Sequence, residues 1–146
     1  MDSALLMIHN LLRWLIIPVM LFVLYRSYSG WFGNTAYGKA DKATGGALVG
    51  LAHLQLLLGL IIYFAVSPWF DMLKADFGAV MKDSVSRLRA IEHPLTMIIA
   101  VMFIQLGRSF SKKKSDDKEK FKTVAIYTTI ALLLILARQI NWSSPF

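Results

Sequence analysis

Four long apolar runs divide this 146-residue chain, at residues 4–25, 45–66, 88–106 and 121–140. A helix needs about 20 residues, at about 1.5 Å each, to cross the hydrocarbon core of a membrane. Hydrophobic residues make up 56% of the chain and charged residues only 17%, which is typical of membrane proteins. Because four spans leave room for little besides connections, the sequence predicts one domain, an all-α integral membrane four-helix bundle.

The segment between the second and third runs has a different pattern. Over residues 69–88, apolar residues recur at helical spacing, while aspartates, lysines and an arginine take the other side. This pattern is typical of an amphipathic helix that lies in the membrane interface. The sequence therefore predicts an interfacial helix that covers the ends of the spans. The alternative is that this helix acts as a gate or as a platform for quinone binding.

Basic residues in the connections predict the orientation. Arg26, Lys39 and Lys42 lie in the first connection, and the third connection, 108–122, contains a run of lysines. Cytoplasmic loops carry an excess of Lys and Arg, so we expect both connections on the cytoplasmic side and both termini outside. The net charge of +7 is spread over these loops, and nucleic acid is not an expected partner.

Ionisable residues lie at the beginning of the third run. Residues 95–106 are too few to cross the bilayer alone, so the helix is expected to begin near Leu88. Arg89, Glu92 and His93 then fall inside the outer part of the bilayer. An ionisable group there costs several kcal/mol unless it faces the protein interior and is paired, so this stretch is predicted to begin a functional site.

Polar residues from three runs are expected at the same depth. They begin the first and third runs and end the fourth: His9, Asn10, Arg13, Arg89, Glu92, His93, Arg138, Gln139 and Asn141. Within each group, residues three or four positions apart share a helical face. The sequence therefore predicts one polar cluster on the outer side of the bundle.

This cluster is suited to a b-type haem. His9 and His93, at similar depth on parallel and non-adjacent helices, would provide the two axial imidazoles. Arg13, Arg89 and Arg138 would hold the propionates through charge-assisted hydrogen bonds. The alternative is that each histidine is only hydrogen-bonded at the membrane interface.

Glu92 and His53 each have alternative roles. Glu92 is expected to pair with Arg89, three residues away, or to take part in proton uptake. His53, in the second run, lies about 10 Å deeper than His9 at about 1.5 Å per residue. It would ligate a second haem together with another copy or subunit, replace His9 as the partner of His93, or have no ligand role.

Other kinds of site find little support. Without cysteine, the chain has neither disulfides nor thiolate metal sites. A binuclear metal site would need several glutamates, and Glu92 is the only one in the four runs. No Ser-His-acid arrangement or glycine-rich phosphate loop is visible. An electron-transfer protein is therefore favoured over a stand-alone enzyme.

Several of these motifs occur together in a known family. HNLLRW at 9–14, AH at 52–53, RAIEHPL at 89–95 and GR at 107–108 resemble short bacterial four-span membrane proteins commonly labelled cytochrome b. The resemblance implies a haem-bearing protein of the bacterial inner membrane, near the respiratory chain. Residues at positions that recur in that family are His9, Arg13, His53, Arg89, Glu92, His93 and Arg108.

The sequence leads to three functional hypotheses. The first is a cytochrome b-like protein that binds haem b near the outer face and passes electrons between a quinol and a partner, with quinone as a second candidate cofactor. The second is a cofactor-free accessory subunit that stabilises a larger respiratory complex. The third is a conduit for protons or small solutes. Expected partners are membrane lipid, respiratory-chain subunits or further copies of the chain.

Overall fold

The computed structural model describes residues 2–139. In that range the chain forms seven α-helices, two five-residue π-helical turns and no strand. The helices are α1 (Asp2–Phe32), α2 (Lys39–Ile61), α3 (Trp69–Ala75), α4 (Phe77–Lys82), α5 (Ser84–Arg87), α6 (His93–Lys112) and α7 (Asp117–Ala137). The π-helical turns are Ile62–Val66, which extends α2, and Leu88–Glu92, which joins α5 to α6.

Four of these helical runs within residues 2–139 are long and apolar enough to cross a membrane. They cover Ser3–Phe32, Lys39–Val66, Ser84–Lys112 and Asp117–Ala137, which confirms the number of apolar helices expected from the sequence. The first three are longer than predicted. The first connection shrinks to residues 33–38 because its aromatic residues prolong α1, where they stack on one another.

The four long runs form a closed ring of neighbours. α1 packs on α2 and α7, and α6 packs on α2 and α7, so α1 and α6 face each other diagonally. The connections at 33–38 and 113–116 are short, and the longer one at 67–83 lies at the other end of the bundle, so neighbouring helices alternate in direction. The buried core contains Ile16, Met20, Val23, Leu48, Ala52, Ala100, Ile104, Val124 and Ala131.

Small residues allow the helices to approach closely, as is common between membrane helices. A Cβ atom added at Gly107 of α6 would lie 2.7 Å from Cβ of Tyr127 in α7. A Cβ added at Gly30 of α1 would overlap the ring of Phe121, which is 1% exposed. Both helices that contact α7 thus require glycine at the point of contact.

An ion pair joins α1 to α2 at the end of the bundle that holds the first connection. Arg26 donates from Nε and Nη2 to the two carboxylate oxygens of Asp41, at 2.9 and 3.0 Å. Asp41 also accepts from the backbone N–H of Gly38, at 2.9 Å, and is buried. Arg26 therefore has a structural partner in Asp41.

The third run continues through Pro94. Proline lacks the N–H that would bond the carbonyl four residues earlier, which here belongs to Ala90. The hydroxyl of Tyr63, in the π-helical turn after α2, donates to that carbonyl at 2.6 Å. The helix therefore passes the proline because a neighbouring span satisfies the carbonyl that the proline leaves free.

The predicted single interfacial helix over 69–88 is wrong in its continuity, since this segment forms α3, α4 and α5. Two aspartates interrupt it: Oδ1 of Asp76 accepts from the N–H of Ala79, and Oδ2 of Asp83 accepts from the N–H of Ser86, both at 3.0 Å. An aspartate that binds the N–H three residues on begins a new helix. The hydroxyl of Ser86 also donates to Oδ2 of Asp83, at 2.6 Å, and this bond together with that from the N–H lowers the pKa of the Asp83 carboxyl.

Candidate functional site

A cavity of about 460 Å³ opens at the end of the bundle where α1 begins and α2 ends. Its walls are mostly aliphatic and come from all four long runs. The polar side chains on its wall are few: His9, Asn10, Arg13, Gln55, Tyr63, Ser67, Arg89, His93 and Gln139. We call it the histidine cavity. A largely apolar cavity with a few converging polar groups is the usual form of a cofactor or ligand site.

The two histidines of the predicted ligand pair both line the histidine cavity. His9 reaches it from α1 and His93 from α6, the two helices that face each other diagonally. The two histidines therefore lie on non-adjacent helices, as the sequence predicts. Two imidazoles from opposite walls can contact a molecule between them from both sides.

The carbonyl of Arg138 fixes the orientation of the His93 ring. Nδ1 of His93 lies 2.8 Å from that carbonyl oxygen. A carbonyl only accepts hydrogen bonds, so Nδ1 carries the proton and Nε2 has a free lone pair. A histidine held in this way is prepared to ligate a metal or accept a proton through Nε2.

His9 occupies a space left by a glycine of α2. A Cβ atom added at Gly59 would lie 3.2 Å from Cε1 of the imidazole. Gln55 lies next to it and donates to the backbone carbonyl of His9 at 2.7 Å. Nδ1 of His9 and Oε1 of Gln55 are buried without a hydrogen bond of standard geometry to the described residues. The side chains of His9 and Gln55 therefore form one polar pair on the wall of the cavity.

Two arginines also reach the histidine cavity. Arg13 is only 9% exposed, with its guanidinium hydrogen-bonded to Asn10 and 5.2 Å from the ring centre of Trp14. Arg89 lies 5.8 Å from the ring centre of Trp69, which lines the same cavity. The predicted cluster thus has two cationic groups beside its two histidines.

Glu92 pairs with partners other than the predicted Arg89. Oε2 of Glu92 accepts from Nε of Arg87 at 2.8 Å, and Oε1 lies 3.4 Å from Nε of Arg138. The expected spacing of three residues holds for an α-helix, whereas Glu92 ends a π-helical turn, whose hydrogen bonds join residues five apart. Arg87 is five residues before Glu92, so the wider turn selects it instead of Arg89.

Arg138 and His53 do not line the histidine cavity. The guanidinium of Arg138 pairs with Glu92, so this residue acts on the site through its carbonyl and is not placed to hold a propionate. His53 is exposed on the outside of the bundle, where Nε2 lies 2.9 Å from Oε1 of Gln105. Its neighbour Ala52 lines the cavity, and one residue along a helix turns the direction by about 100°. Asn141, expected in the cluster, lies outside the described residues.

The sequence interpretation did not include Gln55, Gly59 and Tyr63 in the site. Gln55 and Gly59 are four residues apart and Ala52 is three residues before Gln55, so all three share a face of α2. A polar residue between two small ones in an apolar run was a signal that could have marked this face. Tyr63 had no such signal, because its role depends on Ala90 in another helix.

Within residues 2–139, no three or more His, Cys, Asp and Glu side chains are grouped so that they could hold a metal ion. A haem supplies four equatorial nitrogens itself and takes only two axial side chains from the protein, so it does not require such a group. Comparison of the chain with models of protein families, with curated proteins and with solved structures found no match.

Proposed function

We propose that this chain is an integral protein of the bacterial inner membrane that binds b-type haem between His9 and His93 and passes electrons between a quinol and a partner. One observation carries the proposal: two histidines on diagonally opposed helices line the same largely apolar cavity. A purely structural role for both histidines would not require a cavity of about 460 Å³ between the helices that carry them.

Helix length and composition support membrane insertion. The four runs contain 30, 28, 29 and 21 residues, against about 20 that the hydrocarbon core requires. At about 1.5 Å per residue, the three longer runs also cross the polar headgroup regions. Large apolar side chains such as Leu11, Leu57 and Leu133 are more than half exposed, as expected of surfaces that contact lipid.

The residues of the histidine cavity fit a haem. Cofactor cavities commonly measure about 300–1,000 Å³, a range that includes this one. His93 offers Nε2, since Nδ1 is bonded to a carbonyl, and the imidazole of His9 lines the cavity. A bound haem would supply one-electron chemistry at a potential set by its axial ligands and surroundings.

The chain's own residues would bind and orient the group. Arg13 and Arg89 line the cavity and would neutralise the propionates. The ion pair from Arg138 to Glu92 holds the end of α7 against the π-helical turn before His93, and Arg87 pairs with the same carboxylate from α5. This arrangement keeps the Arg138 carbonyl in place on Nδ1 of His93.

Charge supports an orientation with both termini outside. The end of the bundle opposite the histidine cavity carries ten of the 16 Lys and Arg residues: Arg26, Lys39, Lys42, Arg108, Lys112, Lys113, Lys114, Lys118, Lys120 and Lys122. The rule that positive loops stay inside places this end in the cytoplasm. The histidine cavity then faces the outer side.

A second candidate function is the binding of a quinone in the same cavity without a metal. The aliphatic wall and its few polar side chains, among them Tyr63 and Gln55, favour it, because a quinol is an apolar ring with hydroxyl groups. This candidate requires no axial ligand from His9 or His93.

Visible absorption spectra test the proposal. The protein is purified in detergent from cells supplied with a haem precursor, and spectra are recorded before and after reduction with dithionite. We expect a sharp α-band on reduction, lost in His9→Ala and His93→Ala, because each substitution removes an axial ligand.

His53→Ala is the matched control, since this histidine lies outside the histidine cavity. Its spectrum should equal that of the wild type. A colourless wild-type protein would contradict haem binding. Quinone in the lipid extract of that protein would then favour the second candidate function. The absence of quinone from the extract would favour an accessory role.

A further inference from the structure

A second cavity, of about 340 Å³, lies at the end of the bundle opposite the histidine cavity. It forms where α6 ends and where α2 and α7 begin. Its lining is cationic and hydroxylic: Tyr37, Lys42, Arg108, Ser111, Lys112 and Lys120. We call it the basic cavity. We infer that it binds a phosphate group, and that the headgroup of an anionic phospholipid is the source that its place in the bundle favours.

The guanidinium of Arg108 is held in a fixed position in this cavity. Nη1 donates to the carbonyl of Lys42 at 3.0 Å. The group lies against two glycines of α2: an added Cβ atom would be 3.1 Å from Nη1 at Gly45 and 3.3 Å from Nη2 at Gly46. A planar guanidinium that is already oriented binds phosphate oxygens with little loss of side-chain freedom.

Most of the positive charge in the basic cavity is not neutralised by ion pairs within residues 2–139. The ion pairs of the described side chains leave Lys42, Arg108 and Lys112 without a carboxylate partner. Lys120 has only a long contact with Asp117, at 3.9 Å. Like charges gathered in one cavity repel one another, so a bound anion would relieve this repulsion.

Two hydroxyl groups complete the lining. The ring of Tyr37 packs against Phe121, 5.0 Å between centres, and its backbone N–H donates to Asp117 at 3.2 Å. Burial raises the pKa of the Tyr37 phenol, so its hydroxyl remains protonated at neutral pH. It hydrogen-bonds to Ser111 and would turn from that partner to donate to a phosphate oxygen. Ser111, which donates to the carbonyl of Arg108 at 2.9 Å, follows it by three residues on the same face of α6.

The position of the basic cavity favours a lipid. It lies at the ends of three apolar helical runs, the level at which headgroup phosphates would lie beside spans of this length. In the proposed orientation this end faces the cytoplasmic leaflet, whose surface is negatively charged. The phosphate site itself does not depend on haem, so the two proposals can fail separately.

Native mass spectrometry of the full chain in detergent tests the inference, with phosphatidylglycerol and phosphatidylcholine added separately. We expect retention of phosphatidylglycerol by the wild type and at least about a tenfold weaker affinity in the variant Lys112→Gln/Lys120→Gln. Tenfold corresponds to about 1.4 kcal/mol, which is within the contribution of one hydrogen bond to a charged group. The variant keeps Arg108 and its packing on α2.

Lys114→Gln is the matched control, because this exposed lysine of the same connection does not line the cavity. Equal weakening in the control, or equal retention of both lipids by the wild type, would overturn the inference. Calorimetric titration with inorganic phosphate separates the sources. If the wild type binds inorganic phosphate and the double variant does not, the site is supported but its ligand is free phosphate. If the wild type retains phosphatidylglycerol and does not bind inorganic phosphate, the ligand is the lipid.

Discussion

Gly107 is the residue at which the packing of α6 on α7 is most restricted. A methyl group there would lie 2.7 Å from Cβ of Tyr127, an atom that cannot move without its helix. Alanine in a helix normally gains about 1 kcal/mol over glycine, whereas overpacking costs about 1–3 kcal/mol. We therefore expect Gly107→Ala to lower the thermal unfolding temperature in detergent.

Gly50→Ala provides the comparison for this prediction. An added Cβ atom at Gly50 would have nothing within 4 Å, so this substitution should leave the unfolding temperature unchanged or raise it. Equal effects of the two substitutions would show that helix propensity, and not the contact with Tyr127, decides the outcome.

The site residues illustrate what sequence can predict at this scale. His9, His93, Arg13 and Arg89 were expected together, and all four line one cavity, because α-helical periodicity gives the direction of a side chain from its position. The pairing of Glu92 was wrong because a π-helical turn changes that periodicity. Nothing in the local pattern of residues 88–92 distinguished this turn from an ordinary α-helical one.

Two π-helical turns, Ile62–Val66 and Leu88–Glu92, lie beside each other and are joined by one hydrogen bond, from Tyr63 to the carbonyl of Ala90. We expect Tyr63→Phe to destabilise the protein by about 1–3 kcal/mol, the usual cost of leaving a partly buried acceptor unsatisfied. Denaturant unfolding followed by circular dichroism measures this change. If the loss of this hydrogen bond acts locally, hydrogen exchange in Tyr63→Phe should accelerate mainly in residues 88–94.

The comparison for this prediction is Tyr127→Phe, because among residues 2–139 no hydrogen bond of the Tyr127 hydroxyl accompanies its ring contacts with Phe103 and Phe110. An unchanged stability in Tyr63→Phe would mean that the Ala90 carbonyl finds another donor, which would contradict the role given to this tyrosine.

At the scale of elements, the long helices were more predictable than the short ones. Apolar runs of about 20 residues are a strong signal, and four such helices are present. The segment 69–88 kept its helical character but not its continuity, since Asp76 and Asp83 begin new helices. A periodic apolar face is compatible with both arrangements, and the aspartates decide between them.

At the scale of the whole molecule, the two cavities lie on opposite sides of the membrane in the proposed orientation. The chain has no cysteine, so single cysteines report on sidedness without a background. We expect Ala75→Cys to react with an impermeant maleimide in intact spheroplasts and Ser115→Cys to react only after lysis. The reverse pattern would invert the orientation, and full reaction of both in intact spheroplasts would contradict membrane insertion.

The arrangement of the whole bundle followed from the sequence because short connections and alternating directions leave few ways to pack four helices. The positions and linings of the two cavities could not be predicted from the sequence. Each depends on the rotation of a helix about its own axis, as His53 shows by lying outside the bundle while the adjacent Ala52 lines the histidine cavity.

Electron paramagnetic resonance of the oxidised, detergent-purified protein tests the central claim most directly, that one haem lies between two histidines on opposed helices. We expect a low-spin ferric signal in the wild type and in His53→Ala. In His9→Ala and in His93→Ala we expect conversion to high spin or loss of the haem signal. A high-spin wild type, or a low-spin signal that survives either of those two substitutions, would contradict this claim.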